Sequence, residues 1–442
     1  MAGEWRRCTI GDLCNAGVAE LQTGPFGSQL HAHDYVEHGI SVVPTEAIRG
    51  RRIDHTVLPK VSPTKAEELA RHRLKPGDIL FARRGVQATG HIGCVREAED
   101  GFLCGTGAIR LRIKERDGDI SGDFLSHVLA NPASVEWFKF HSIGATMPNL
   151  NEGIIRSFPL AVPPLPEQRA IAHILGTLDD NIELNRGMSE TQEAMARALF
   201  KSWFVDFDPV RAKAEGRDPG LPRPLADLFP SRLVDSELGE IPEGWEVKSL
   251  DQIARFLNGL ALQKYPPVDH RTLPVIKIAQ LRTGNTTDAD RASADLDADY
   301  VVKDGDILFS WSGSLECALW AGGEGALNQH LFKVTSATYP RWLCYLGVHA
   351  HIDDFRHIAA GKATTMGHIQ RHHLSDAMIV VPPNQLLGAM NEHLEPLIES
   401  LWKREVESRT LAALRDTLLP KLISGEVRVG TGTRDERERV QV

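Results

Sequence analysis

Several places in the chain have residue types that could do metal, nucleotide or nucleophilic chemistry, and in each the spacing argues against it. His31/His33, His349/His351 and His368/His372/His373 bring imidazoles close in sequence. No acidic or cysteine ligand accompanies them at a metal-site spacing, so hydrogen-bonding or surface histidine is the plainer reading and no metal is expected. The six cysteines (Cys8, Cys14, Cys94, Cys104, Cys317, Cys344) never form Cys-x-x-Cys, which argues against zinc or a disulfide framework and for packing roles. Gly361-Lys362 lacks the upstream glycine and the following hydroxyl of a phosphate-cradling loop, which argues against a nucleotide-driven motor. A base methyltransferase needs a Gly-rich cofactor loop and an Asn/Asp-Pro-Pro-aromatic tetrad. The nearest string, Pro382-Pro383-Asn384-Gln385, runs in the wrong order. Asp235 with Glu246-Val247-Lys248 has the residue types of a carboxylate–lysine nuclease, but so short a string arises readily by accident. No catalytic residue is expected.

Arginine is more informative. Residues 46–116 hold 15 Lys/Arg, among them Arg49, Arg51, Arg52, Arg110 and Arg112, against nine acids. The guanidinium fork matches phosphate and the guanine edge with two parallel hydrogen bonds. Arg83-Arg84-Gly85 follows one residue after Asp78-Ile79-Leu80-Phe81, and Ser310-Trp311-Ser312-Gly313 holds the matching place after Asp306-Ile307-Leu308-Phe309. One strand end thus carries different polar side chains on a common frame, as a reader of two different sequences requires. The candidate DNA-binding residues are Arg83, Arg84, Gln87 and Thr89 in the first half, and Ser310, Trp311, Ser312, Gln329 and His330 in the second.

The elements that must position them are duplicated. Lys75–Phe81 recurs at Lys303–Phe309, an offset of 228, and Trp5 with Thr9-Ile10 recurs as Trp245 with Ser249-Leu250 at 240. Thr146-Met147-Pro148-Asn149-Leu150 resembles Thr365-Met366-Gly367-His368-Ile369, and Val162-Pro163-Pro164 matches Val381-Pro382-Pro383, both at 219. Four matches in one order, with offsets that only shrink, describe two copies diverged in their loops. After each Val-Pro-Pro the pattern turns helical. Leu178, Ile182, Asn185, Ser189, Gln192, Ala196 and Leu199 step by four and three, as do Leu397, Leu401, Arg404, Ser408, Leu411, Arg415 and Leu418. This predicts long helices over about 166–204 and 384–424, each on the order of 55–60 Å. Pro396 predicts a kink near the start of the second. The ends of both stripes (Leu178, Ile182, Leu199; Leu397, Leu401, Leu418) are the expected packing residues.

The fold class expected is α+β, with boundaries at 1–163 (globular), 164–205 (helix), 206–240 (Pro-rich linker), 241–382 (globular), 383–424 (helix) and 425–442 (mobile tail). Phe124–Phe140 and Tyr339–Ala360 read as amphipathic helices. The stretch between the first helix and Trp245 holds six of the chain's 25 prolines, yet Phe204, Phe207, Leu225, Leu228 and Phe229 predict that it packs against something. No 18-residue apolar run spans a membrane and Met1–Cys14 lacks the apolar core of a signal peptide, so a cytoplasmic location is expected. The net charge of −9 at first argues against a nucleic-acid partner. Split by region, however, residues 1–164 carry 19 basic and 19 acidic groups, whereas 165–244 carry 9 and 15. Two thirds of the acid excess therefore lies outside the candidate readers.

This layout resembles the specificity subunit of a type I restriction–modification enzyme. Its carriers are Leu165-Pro166-Glu167-Gln168-Arg169 at the start of the first long helix and Leu199–Val210 (LFKSWFVDFDPV) at its end. Gly239-Glu240-Ile241-Pro242-Glu243-Gly244-Trp245, Leu418–Gly425 (LLPKLISG) and the Gly24-Pro25-Phe26-Gly27-Ser28 turn add to them. The resemblance runs from Trp5 to about Val429. It implies two mixed α/β target-recognition domains, each reading half of a split site in double-stranded DNA. The two long helices would pack antiparallel as a coiled-coil-like spacer with an internal pseudo-twofold repeat. It further implies two modification subunits that bind S-adenosylmethionine, and restriction subunits that use ATP and Mg. Cofactors would then belong to partners, and this chain would be non-catalytic. The rival reading is a helical scaffold whose globular domains bind protein instead of DNA.

Overall fold

The computed structural model describes residues 5–85, 87–114, 119–144, 148–268, 270–361 and 367–429. The repeated Thr146-Met147 and Thr365-Met366 pairs and the tail from residue 430 lie outside them. The chain divides into two compact units: Met1–Asp180 with Ala412–Val442, and Asn181–Leu411.

Each unit is built on the same strand order. In the first, Ala19–Thr23, Ala108–Ile113, Ile79–Ala82 and Ile92–Cys94 form an antiparallel sheet in that order. In the second, Arg255–Asn258, Leu331–Thr335, Ile307–Ser310 and Cys317–Leu319 repeat it. The first three positions of each central strand are apolar because both its faces are buried. Ile79 and Phe81 face one core while Leu80 and Ala82 face another. Ile307 and Phe309 are separated from Leu308 in the same way. The repeated Lys-x-Gly-Asp is the turn that enters this strand. Asp78 Oδ2 accepts Lys75 N–H at 2.8 Å and Asp306 Oδ2 accepts Lys303 N–H at 2.8 Å. The intervening Gly77 and Gly305 take φ of 86° and 90°, where a side chain is disfavoured.

A second four-stranded sheet in each unit contains one parallel pair, Leu103–Cys104 beside Val42-Val43 and Val275-Ile276 beside Ala326-Leu327. A two-stranded ribbon, Arg6–Thr9 with Pro159–Val162 or Glu246–Ser249 with Met378–Val381, brings the ends of each globular region together just before Val-Pro-Pro. Thr9 caps the helix Ile10–Asn15 in a reciprocal box with Asp12, and Ser249 does so with Gln252 for Leu250–Ile253.

The two long helices span Leu165–Phe204 and Asn384–Ser424. Each passes from one unit into the other, and within each unit their segments run antiparallel. In the first unit, Asp179 meets Arg415 and Glu167 meets Arg428. In the second, Asn185 meets Arg404 and Glu407, and Gln192 meets Ser400. Of the expected packing residues, Leu401 is buried, and Leu178, Ile182, Leu199, Leu397 and Leu418 are half-buried. Fully buried apolar positions lie beside them, at Ile171, Leu175, Ala196, Phe200, Leu394, Ile398, Leu419 and Leu422. Helix continues through Pro396, which is exposed.

Both C-terminal helix motifs close on the tryptophan that opens a globular region. Phe204 and Phe207 pack on Trp245, with ring centroids 5.4 and 6.1 Å apart. Gly425, at φ 76°, ends the second helix against Trp5. The Pro-rich stretch packs as its apolar residues predict: Asp208–Ala214 and Arg223–Ala226 are helical, and Phe207, Val210, Leu225 and Phe229 enter the core of the second unit. Two expectations are corrected. Each predicted amphipathic helix is two helices. The first breaks at Asn131-Pro132, because proline donates no N–H to continue it, and the second at His351. The tail is anchored through 429, where Arg428 Nε lies 2.7 Å from Glu167 Oε1 and its guanidinium sits 5.6 Å from the Trp5 ring.

Candidate nucleic-acid interface

The central strand of each unit emerges into a loop that is held from both sides. In the first unit, Arg83 N–H donates to Gly107 O at 2.8 Å and Leu150 N–H donates to Arg83 O at 2.8 Å. Arg84 then pairs with Asn149 in an antiparallel bridge. In the second unit, Trp311 N–H donates to His330 O at 3.4 Å, Ile369 N–H to Trp311 O at 3.0 Å, and Ser312 bridges His368. Positions 83, 84, 107 and 149 thus correspond to 311, 312, 330 and 368. Gly24 and Gly259 lie under this frame. A Cβ at Gly24 would stand 1.9 Å from Gly105 O, and one at Gly259 would stand 2.3 Å from Asn328 O. Only glycine permits that approach.

On equal backbones the side chains differ. In the first unit Arg84 and Gln87 are exposed. Arg83 is half-buried, its Nε donating to Asn149 Oδ1 at 3.0 Å and to Leu150 O at 3.1 Å. In the second, Trp311 Nε1 donates to Asn258 Oδ1 at 2.9 Å and to Gln329 O at 3.1 Å. Ser312 Oγ and His330 Nδ1 are 3.1 Å apart, and the rings of His330 and His368 lie 5.8 and 6.4 Å from that of Trp311. The exposed Arg371 stands 5.9 Å from the neighbouring Phe332 ring. The first unit therefore presents a cation and amides, the second an indole–imidazole cluster with a cation at its edge. Hydrogen-bonding forks are the groups that contact base edges and phosphates, and aromatic side chains can pack on the thymine methyl.

Two candidate readers belong to the frame instead. Thr89 is buried, its hydroxyl donating to Gly85 O at 2.8 Å and Pro148 O at 3.1 Å. Ser310 is buried, its hydroxyl donating to Ser314 O at 2.7 Å and accepting from Glu316 N–H at 2.7 Å. Their hydroxyls hold the loop and have no path to a ligand. Ser312 is also buried, though its partner His330 is half-exposed. Asn149, Asn258, His368 and Arg371 were not among the sequence candidates. Asn149 and His368 lie inside a repeat motif, and matched positions with unlike polar residues are the signal that points to them.

The other suspected chemistries resolve into structure. Asp34, the neighbour of His33, does bring a carboxylate to the first histidine pair, with ligand atoms of His31, His33 and Asp34 within 4.8 Å of one another. That carboxylate already accepts His31 N–H at 2.7 Å and stands 3.5 Å from the Lys65 ammonium, which opposes a second cation. His349 is pushed down to about 4 by burial and the Arg197 charge, and the Nη2 of Arg197 lies 3.0 Å from its Nδ1. His351 Nε2 lies 3.0 Å from Met378 O, and His373 accepts Gln370 N–H at 2.9 Å. Burial pushes the Cys104 and Cys344 thiols up to about 12, where thiolate is scarce. Lys248 is ion-paired to Glu246 at 2.7 Å on a ribbon strand. Among the described residues, no helix is long and apolar enough to cross a membrane.

Comparison with known proteins agrees with this duplicated frame. The family described as type I restriction modification DNA specificity domain matches residues 3–193 and 242–403. The chain is 25% identical over 424 residues to the type I restriction enzyme HindI specificity subunit of Haemophilus influenzae, covering 81% of this chain and 88% of that protein. It is 26% identical over 332 residues to the MjaIX specificity subunit of Methanocaldococcus jannaschii, covering 71% of each. The fold is similar to the crystal structure of a type I restriction–modification S subunit from M. genitalium. That likeness has a TM-score of 0.58 at 14% identity, over 95% of this chain and 96% of that one. With two family matches, one on each copy of the same strand frame, the chain belongs to the type I restriction–modification DNA specificity subunits.

Proposed function

We propose that this chain reads a bipartite DNA target, one half with each unit, and serves as a scaffold for modification and restriction subunits while performing no methyl transfer or cleavage itself. The observation that carries this reading is the matched hydrogen-bonded frame bearing Arg84 and Asn149 in one unit and Ser312 and His368 in the other. Equivalent backbones supply equivalent placement, and unlike side chains supply unlike readout. Methyl-donor and nucleotide chemistry would then reside in partners.

The test is to map methylated adenines made by the reconstituted complex with modification subunits and S-adenosylmethionine. Arg84→Ala is expected to relax preference at one half-site by about 10- to 100-fold, the range of a lost bidentate base contact. His368→Ala and Arg371→Ala should act on the other half alone. Equal loss at both halves would mean that Arg84 contributes only general phosphate attraction. Co-purification of partner subunits with no DNA preference would favour the protein-binding scaffold.

A further inference from the structure

One residue of the first unit combines backbone strain with a buried charge network. The short hairpin Ile48–Arg49 with Arg52–Ile53 turns through Gly50 and Arg51, at φ 53° and 65°. Two-residue hairpins favour this left-handed pair, but glycine or asparagine adopts it at least cost. Among the described residues, Arg51 and Phe207 are the non-glycine positions with positive φ. The arginine is used. Its Nε donates to Ser126 Oγ at 3.1 Å, and its Nη1 pairs with Asp179 on the first long helix. The other oxygen of Asp179 accepts Arg415 Nη1 of the second long helix at 2.8 Å. The side chains of Arg51 and Asp179 are only 13% and 10% exposed. Burial alone would raise the Asp179 carboxyl, but Arg415 and Arg51 overcome it and hold it below the usual range.

The hairpin belongs to a different core from the helices. Ile48 and Ile53 pack with Val43, Leu80 and Val95, whereas Ile171, Leu175, Leu419 and Leu422 pack with the opposite face of the central strand. Arg51 is therefore a polar tie from the outer core of the recognition domain to both helix segments. The second unit makes its tie differently, from Arg409 of the second long helix to Asp304 at 3.0 Å, and Asp304 is not a positive-φ position.

We propose that Arg51 is a positioning residue that clamps the first recognition domain on the helix pair and so sharpens discrimination of the gap between half-sites. This rests on the bipartite reading. Strain retained for a buried contact marks a place where orientation matters more than local stability.

The experiment uses the assembled complex and duplexes carrying the mapped half-sites at the native gap and at gaps one base pair shorter and longer. The readout is the ratio of methylation at the native gap to that at the altered gaps, which does not depend on how much complex is folded. Arg51→Gly relieves the backbone and deletes the tie. Asp179→Asn keeps the shape and removes the central charge. Both are expected to lower the ratio at least tenfold. Methylation that falls equally at all gaps, or a ratio unchanged in both variants, would overturn the clamp. A wild-type complex indifferent to the gap would overturn the bipartite reading and the clamp with it.

Discussion

At the scale of single residues, the site separates side chains that hold a loop from side chains that leave it. Thr89 and Arg84 are five positions apart, yet one hydroxyl is spent inside the domain and one guanidinium faces solvent. Thr89→Val removes the hydroxyl that Gly85 O and Pro148 O share, while Gly85 O keeps the Thr89 N–H, and should therefore cost about 1–3 kcal/mol of stability with target preference unchanged. Thermal melting and methylation mapping on the same variant check both halves of that statement. His127 makes a second prediction. Burial, then the nearby Arg51 charge, pushes its imidazole down to about 3. The unfolded chain takes up this proton below pH 6.5 and the folded chain does not, so stability is lost as pH falls from there. From this group alone the loss is about 2 kcal/mol between pH 7.5 and 5. His127→Gln should flatten that part of the stability–pH curve, measured by denaturant unfolding.

At the scale of elements, the features most legible in the sequence were those set by local rules. Heptad spacing marked both long helices because 3.6-residue periodicity and an apolar seam are properties of the chain itself. Lys-x-Gly-Asp marked the strand entry because its turn is closed by its own aspartate. The broken helices and the folded linker were less legible. Asn131 caps a new helix by accepting Ala133 N–H at 3.2 Å, and Phe229 finds its place only against Trp203 and Trp245. The close approach under Gly24 and Gly259 is also tertiary, since it involves carbonyls about 70–80 residues away in sequence. Alanine at either glycine should lower stability by about 1–3 kcal/mol through backbone displacement, observable as a reduced melting temperature. The effect on recognition should be confined to the half-site read by the altered unit.

At the scale of the whole molecule, the two helices are shared. Each runs from one compact unit into the other and ends against a tryptophan that opens a globular region. The polar seam residues Asp179, Asn185 and Ser408 are buried between apolar ends, and such groups specify register at some cost in stability. A four-residue insertion in the middle of both helices, which breaks the heptad while adding about one turn, should change the half-site gap that is methylated. Unchanged gap preference in a folded, active complex would show that the helices do not act as a ruler. The net charge of −9 does not bear on DNA binding once it is divided, because the acidic excess is concentrated in the first helix and linker region.

The amino-acid order by itself determined the duplication, the helix spans, the strand-entry turns and the family resemblance, because repeats, periodicity and capping are encoded within short windows of chain. Tertiary structure decided which polar side chains face outward. Burial turned Thr89 and Ser310 into frame residues, and strand pairing brought Asn149 to Arg84 and His368 to Ser312 across more than 50 residues of chain. It also decided that Arg51, one arginine among 15 basic residues in a basic stretch, is a buried tie and not a phosphate contact. Its charge and spacing are ordinary. Its partners, Ser126 and Asp179, lie 75 and 128 residues away, and only folding brings them together.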